Sequence, residues 1–369
     1  MKVLILSDAS SIHTQRWVFS LLRRGCEITL FNLLSHDLSM YKGVPNLKVV
    51  SCDIRVDEKK ATSQRLMDKF VYIKALSLLK KTIRDTRPDF VHAHYVCSYG
   101  LLGALAGYHP YVLSVWGSDV YDYPYHGKVY DKLLRFALGR ADYILSTSNC
   151  MARQTSLFTP KPISVTPFGV DMRLFVPVND GRQRGEFVVG NVKALKECYG
   201  IDTLIQAFAL ADRQRPDVPK RLVIVGKGPD EAALKELCGT LGIEDKVDFS
   251  GYIANKELPA VYSSFDVAVS LSREESFGVV AVEAMSCECP VVTSDADGFC
   301  EVVEDGVTGY IVPRNDPQSA AEAIIRLMDN PDKRAEMGRA GRKRVAALYD
   351  WERNVDGMME IYHRVISSK

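Results

Sequence analysis

Short apolar runs alternate with amphipathic stretches along the chain, and that alternation predicts its architecture. The series opens with "KVLILS", passes through an amphipathic stretch from about His13 to Arg24, and turns at Gly25 into "EITLFNL". Strands this short, joined by helix-length segments, predict β-α-β units, because parallel strands can be joined only by a long crossover. "FVHAHY", "YVLSVWG" and "YILSTS" continue the theme, so residues 1–168 read as a doubly wound domain. Between 169 and 185 the texture changes to proline, glycine and polar residues, as expected of a linker. The alternation resumes with "FVVGNV", "RLVIVGKG", "KVDFSGYI", "DVAVSLS", "PVVTSD" and "GYIVP", predicting a second parallel sheet over 186–351. In "WERNVDGMMEIYHRVI" near the end, Met358, Ile361 and Val365 recur at helical spacing, although periodicity does not say which domain this helix joins.

Two such domains predict a bilobed α/β molecule with its ligands in a facing cleft, at the carboxyl ends of the strands. The length of 369 residues suits two cores, and 47% hydrophobic with 25% charged residues is a globular composition. The net charge of +1 conceals a polarity, with +8 over residues 1–180 and −7 over the remainder. Such asymmetry suits an acidic partner or membrane surface and does not point to nucleic acid. The nine cysteines lack paired spacing and predict reduced thiols in a cytoplasm, neither a disulfide framework nor a zinc site. Asp8 interrupts the first apolar run before signal-peptide length, and no run reaches the ~18 apolar residues of a membrane span. Any membrane contact is therefore expected to be peripheral.

The chemistry concentrates in "EESFGVVAVEAM", where Glu275 and Glu283 bracket seven residues. "DVAVSLS" predicts a strand, "REESFG" its following loop, and "VVAVEAMSC" a helix starting near Gly278. Glu275 then precedes the helix, and Glu283 lies roughly 9 Å along its axis at ~1.5 Å per residue. Between them fall Ser276, Phe277, Gly278 and Val279, whose backbone amides head a helix and can bind an anion such as phosphate. Carboxylates only accept hydrogen bonds, which suits the vicinal diols of a sugar and a ribose. Without context, two solvated surface glutamates would be the better reading.

The context is a resemblance. "EESFGVVAVEAMSCECPVVTSDADGFCEVVEDGVTGYIVP" resembles the signature segment of the retaining glycosyltransferases of family four, which have the GT-B fold and a Glu-x7-Glu hallmark. The likeness extends to "RWVFSLLRRGCEITLF", "PDFVHAH", "WGSDV", "PFGVD", "VGKGP" and "YDWE". It implies that Glu283 holds the ribose of a nucleotide sugar, that Glu275 contacts the donor sugar, and that the intervening amides bind diphosphate. It also implies that the backbone near Tyr252 and Ile253 places the base, and that the last helix, 352–369, packs back on the first domain.

Three segments depart from the family pattern. Relatives carry an arginine and a later lysine that clamp the diphosphate, whereas here Lys193 stands at the first position and Tyr199 at the second. Lys196 is the candidate for the second charge, with ordinary solvated lysines as the alternative. Trp116 replaces a histidine in "SVWGSDV", leaving Asp119 to bind sugar or acceptor hydroxyls or simply to cap the next helix. Asp297 interrupts a glycine pair in "DADGFCE". In the first domain Ser10, Ser11 and His13 follow strand one and are candidates for the diphosphate and acceptor side, or a serine-rich cap. His92 and His94 are read as facing opposite sides of their strand. Gly226 in "GKG" lacks the third glycine of a dinucleotide fingerprint and reads as a turn lining the nucleotide pocket.

Together these features imply a retaining glycosyltransferase without metal or other cofactor, with Glu275, Lys193 and Asp119 as catalytic candidates. The expected donor is a UDP-sugar, and a GDP-sugar next; the expected acceptor is a glycan, lipid-linked or small-molecule hydroxyl. Leu66, Phe70, Ile73, Leu76, Leu79 and Ile83 line one face of a basic amphipathic segment from Arg65 to Arg87. That segment reads as a core-facing helix or as peripheral contact with the inner face of an anionic membrane. A sugar-nucleotide epimerase and a non-catalytic nucleotide-sugar-binding subunit are the competing readings.

Overall fold

The computed structural model of the chain describes residues 1–54, 69–178 and 185–367. It divides into two compact units, residues 1–167 with 352–369, and residues 168–351. The segment expected as a linker is thus grouped with the second unit over its described residues, 169–178 and 185.

The first unit runs β1 (Lys2–Leu6), α1 (Ile12–Arg23), β2 (Glu27–Leu34), β3 (Leu47–Ile54), α2 (Lys69–Thr86), β4 (Phe90–His94), α3 (Leu101–Ala106), β5 (Tyr111–Val115), α4 (Ser118–Tyr121), α5 (Lys128–Arg140), β6 (Tyr143–Ser146), α6 (Asn149–Ser156) and β7 (Ile163–Val165). Its seven strands are parallel in the order β3-β2-β1-β4-β5-β6-β7. The central strands β4 and β5 are buried along their whole length, and their polar members His92, His94 and Ser114 are buried with the rest. The chain order reverses between β1 and β4, so the crevice of this sheet lies beyond Leu6 and His94.

The second unit runs β8 (Phe187–Val192), α7 (Ile201–Gln214), β9 (Lys220–Val225), α8 (Glu231–Leu241), β10 (Val247–Gly251), α9 (Leu258–Ser264), β11 (Val267–Ser270), α10 (Val279–Ser286), β12 (Val291–Ser294), α11 (Asp297–Val302), β13 (Gly309–Val312), α12 (Pro317–Asp329) and α13 (Pro331–Leu348). Its parallel order, β10-β9-β8-β11-β12-β13, reverses between β8 and β11. The last helix, α14 (Trp351–Ser367), belongs from Glu352 onward to the first unit. There Arg24 binds Glu352 at 3.0 Å and Asp356 at 2.7 Å, and Val355, Met358, Ile361 and Val365 are buried.

A buried polar contact also ties α14 to the sheet. The Tyr362 hydroxyl lies 2.7 Å from His92 Nδ1, and His92 Nε2 lies 2.8 Å from the Ser114 hydroxyl. His92 and His94 do not face opposite sides as expected: their rings are 4.5 Å apart and edge to face. Side chains alternate with a period of two, so residues two apart share a face. Among the six apolar positions expected on one face from Leu66 to Ile83, Leu66 and the Phe70 side chain lie outside the described residues. Leu79 and Ile83 are buried, Leu76 half-buried and Ile73 exposed, which is the core-facing arrangement. Among the described residues no helix is long and apolar enough to cross a membrane.

Burial holds His92 down at about 3, and burial with the nearby His92 and His13 holds His94 well below 6.5. Both are depressed bases, so between the unfolded value near 6.5 and the folded values the unfolded chain binds more protons, and stability is lost as the pH is lowered. Urea unfolding from pH 7 to pH 5 should therefore lose up to about 1.4 kcal/mol per pH unit per histidine below 6.5. The slope should be shallower in His92→Gln; equal slopes in the two proteins would contradict this account.

Candidate functional site

In the second unit the site forms where the loops after β8 and β11 meet. Lys193 leaves β8 with its amide on Val225 O at 2.9 Å, and its ammonium reaches Glu275 Oε2 at 2.7 Å. Both side chains are largely withdrawn from water, at 15% and 11% exposure. Burial disfavours the ammonium, but the Glu275 carboxylate outweighs it and Lys193 stays above its ordinary value. The Tyr199 ring lies under the same ammonium, 4.5 Å from Nζ to centroid. Lys196 is exposed at the head of the turn before Tyr199.

Two close approaches of backbone fix these loops. At Gly200 a β-carbon would stand 2.0 Å from Leu271 O, and φ is +61°. At Gly298 it would stand 2.4 Å from Phe277 N and 2.8 Å from Glu275 O, the oxygen that accepts the Gly298 amide at 2.9 Å. The loop carrying Glu275 is thus gripped from α7 on one side and α11 on the other, while Asp297 stands exposed at the start of α11. Arg273 adds a bidentate pair with Asp202 at 3.1 and 2.7 Å.

From Glu275 the chain passes half-buried Ser276 and buried Phe277, whose ring packs edge to face on Phe168 and Tyr349, to Gly278, which caps α10 in a left-handed conformation with φ +96°. Val279 opens the helix, and Glu283 sits within it at 6% exposure. The buried Tyr262 of α9 donates to Glu283 Oε2 at 3.0 Å. Burial first, then the Glu283 charge, pushes the Tyr262 phenol well above 10, so it remains a donor. Gly226 packs against the backbone of Lys193, where a β-carbon would stand 1.9 Å from Lys193 O. Tyr252, at 73% exposure, and half-buried Ile253 follow β10, two strands from β8.

The first unit gathers rings at its own crevice. Trp116 stacks at 30° on His94, 4.5 Å away, and meets His13 edge to face at 6.0 Å. Burial, with Arg16, lowers His13 to about 4. Exposed Ser10 binds Asp8 Oδ1 through amide and hydroxyl, both at 2.8 Å; Ser11 is the N-cap residue of α1 but its side chain makes no cap bond. The catalytic expectation for Asp119 is corrected here. Its side chain is 0% exposed and accepts the amides of Gly117 at 2.8 Å, Val96 at 3.0 Å and Trp116 at 3.2 Å. It ties together the loops after β4 and β5 and has no surface to offer a sugar. Burial raises it above the usual carboxylate value despite these bonds.

The structure therefore brings Lys193 and Glu275 into contact, with residues 276–279 leading from Glu275 to Glu283 in α10, and leaves Lys196 and Asp119 outside that set. Tyr262 gave no signal in the sequence; Gly200 is the glycine of the family's Lys-Gly pair, following Tyr199 at the lysine position, and Gly298 is the single glycine retained where relatives show a pair.

Comparison with known proteins follows the same division. Residues 2–148 match the family model described as glycosyl transferase 4-like, and residues 177–344 match glycosyl transferases group 1. A D-inositol 3-phosphate glycosyltransferase of Salinispora arenicola is 31% identical over 57% of this chain and 51% of its own. The N-acetyl-alpha-D-glucosaminyl L-malate synthase of Bacillus anthracis is 26% identical over 75% of each. The chain spans about half the length of the inositol-phosphate relatives it matches, 51%, 50% and 47% in three of them. Among solved structures, sucrose-phosphate synthase from Thermosynechococcus elongatus superposes with a TM-score of 0.83, 22% identity and 100% coverage of both chains. Anabaena Alr3699/HepE in complex with UDP gives 0.81 at 20% identity, covering 99% of this chain and 100% of its own.

Replacing Asp119 by Ala should leave its bonded amides without their acceptor and cost about 2–4 kcal/mol of stability, measured by chemical denaturation. Asp119→Asn should cost less, because one carbonyl oxygen still accepts. An alanine variant of undiminished stability would return Asp119 to the list of ligand-facing groups.

Proposed function

We infer function from one premise: the chain belongs to the glycosyl transferases group 1 family and has the GT-B fold. The reading is a retaining glycosyltransferase that moves a sugar from a nucleotide diphosphate sugar, a UDP-sugar first and a GDP-sugar second, to a hydroxyl acceptor. The observation that carries it is the Lys193–Glu275 contact of 2.7 Å beside the head of α10, in the helix that also holds Glu283. Lys193 and the amides of 277–279 would bind the diphosphate and stabilise the charge it gains on leaving. Glu275 would accept from donor-sugar hydroxyls and Glu283 from the ribose, with its orientation held by Tyr262. Tyr252 and Ile253 would border the base. Ser10, Ser11, His13 and Trp116 are the candidates on the acceptor side, and Asp119 acts by holding the Trp116 loop.

Relatives support parts of this reading. HepE is described in complex with UDP and with UDP-glucose, and other relatives are named for transfer involving inositol phosphate or malate. A small hydroxyl compound or a glycan therefore heads the acceptor search, with a lipid-linked glycan included. We assign the leaving-group charge to Lys193 and the backbone amides, so transfer should proceed without added metal. Comparisons do not favour an epimerase or a non-catalytic subunit.

Contact with an anionic membrane moves from α2 to α5. Val129 and Phe136, 59% and 42% exposed, are seven residues apart on the face that also presents exposed Lys128, Lys132 and Arg140. Such a face suits the cytoplasmic leaflet, which is the location we propose.

Calorimetric titration of UDP and GDP should give selective binding that Glu283→Ala weakens at least tenfold, about 1.4 kcal/mol. Equal affinity in the mutant would remove the ribose assignment. With an accepted donor, activity should survive EDTA and the product anomer should match the donor by NMR; inversion would refute the mechanism. Wild type should co-sediment with phosphatidylglycerol vesicles at low salt, and the Val129→Glu, Phe136→Glu double variant should not. If the two sediment alike, α5 is not the contact.

A further inference from the structure

We propose that Tyr199 is a positioning residue for donor binding: its ring seats the Lys193 ammonium for the diphosphate. The proposal rests on the donor reading above and deepens it at one residue. The lysine of the family pattern is absent at 199, and its suggested substitute, Lys196, is exposed. What the site contains instead is an aromatic face 4.5 Å from the Lys193 ammonium, which also has a carboxylate 2.7 Å away.

The turn that carries the ring is held in place, and Tyr199 packs half-buried against the core of the second unit. The turn Glu197–Tyr199 is closed by Gly200, whose place against Leu271 O admits no β-carbon. The Arg273 amide donates to Cys198 O at 2.8 Å, and its guanidinium donates to Glu197 O while pairing with Asp202. The turn bearing Tyr199 is thereby fixed to the loop that bears Glu275.

An aromatic face attracts an ammonium without placing a second negative charge beside it. Its pull is on the ring side, so the N–H groups pointing elsewhere stay directed toward Glu275 and toward an incoming phosphate. A flexible lysine stem has many rotamers to lose on binding, and a ring that fixes one of them lowers the cost paid when the diphosphate arrives. The effect should fall on the diphosphate and spare the nucleoside.

The test is binding of UDP and of uridine to the full chain by calorimetry and competition, run in parallel with GDP and guanosine, for wild type, Tyr199→Phe, Tyr199→Leu and Lys193→Ala. Tyr199→Phe, which keeps the ring, should bind the diphosphate within twofold of wild type. Tyr199→Leu should weaken it about 5–10-fold while nucleoside binding stays unchanged. Donor KM should rise in Tyr199→Leu by a similar factor, with kcat changed less. Unchanged diphosphate affinity in Tyr199→Leu, or an equal loss for the nucleoside, overturns the proposal, the latter by revealing a purely structural role. Should Lys193→Ala bind UDP and GDP as tightly as wild type, the donor reading of Lys193 fails and the proposal falls with it. A loss in Lys193→Ala without one in Tyr199→Leu refutes the positioning role alone.

Discussion

The site in the second unit depends on one steric constraint: the loop from Leu271 to Phe277 is gripped by backbone on two sides with no room for a β-carbon. At Gly200 and at Gly298 the neighbouring backbone atoms lie closer than real β-carbons ever approach. Interiors pack densely and transmit such contacts as fixed positions. The height of Glu275 above the sheet is therefore set by α7 and α11, not by its own loop. Only because that height is fixed can Lys193, arriving from another strand, meet its carboxylate at 2.7 Å. The charge pair is a result of the glycines, and so is the course of the chain into α10.

The first unit is organised by a different interaction, a buried polar network carried on a central strand. His92 and His94 are neutral, since burial depresses both, and they act as hydrogen-bonding rings. His92 joins β4 to β5 through Ser114 and to α14 through Tyr362. His94 lies 3.1 Å from the Ser7 hydroxyl and presents its face to Trp116. The C-terminal helix and the crevice loops are thus coupled through adjacent rings. Replacing the family histidine by Trp116 exchanges a titratable group for a flat apolar one, and His94 supplies the surface on which it rests.

Much of this was legible in the sequence. Alternating apolar runs correspond to both parallel sheets, and the bracketing glutamates lie on a loop and a helix as their spacing predicts. What was not legible depends on contacts between distant residues. Tyr262 reaches Glu283 across 21 positions, and Gly298 meets Glu275 across 23, with no local periodicity to announce either. Asp119 looked chemical because it followed "WGS", yet its job is set by the Val96 amide, which arrives from another loop. The reading of His92 and His94 failed for a simpler reason, a misapplied two-residue period.

Three carboxylates show how surroundings, more than residue type, decide what an acid can do. Asp119 spends its oxygens on backbone amides and has no exposed surface, so it can only hold structure. Glu283 is nearly as buried, and a phenol, Tyr262, donates a hydrogen bond to its Oε2, which orients the carboxylate within α10. Glu275 faces a cation through Oε2, while the Phe277 amide reaches Oε1 only at 3.5 Å. Its partner Lys193 is the group an arriving diphosphate would also attract. On the proposed donor reading the ammonium would be shared between Glu275 Oε2 and the diphosphate, leaving Glu275 Oε1 to accept from a sugar hydroxyl. On that reading an intact donor, which carries both a diphosphate and a sugar, would engage both residues at once, and a free nucleotide only the ammonium.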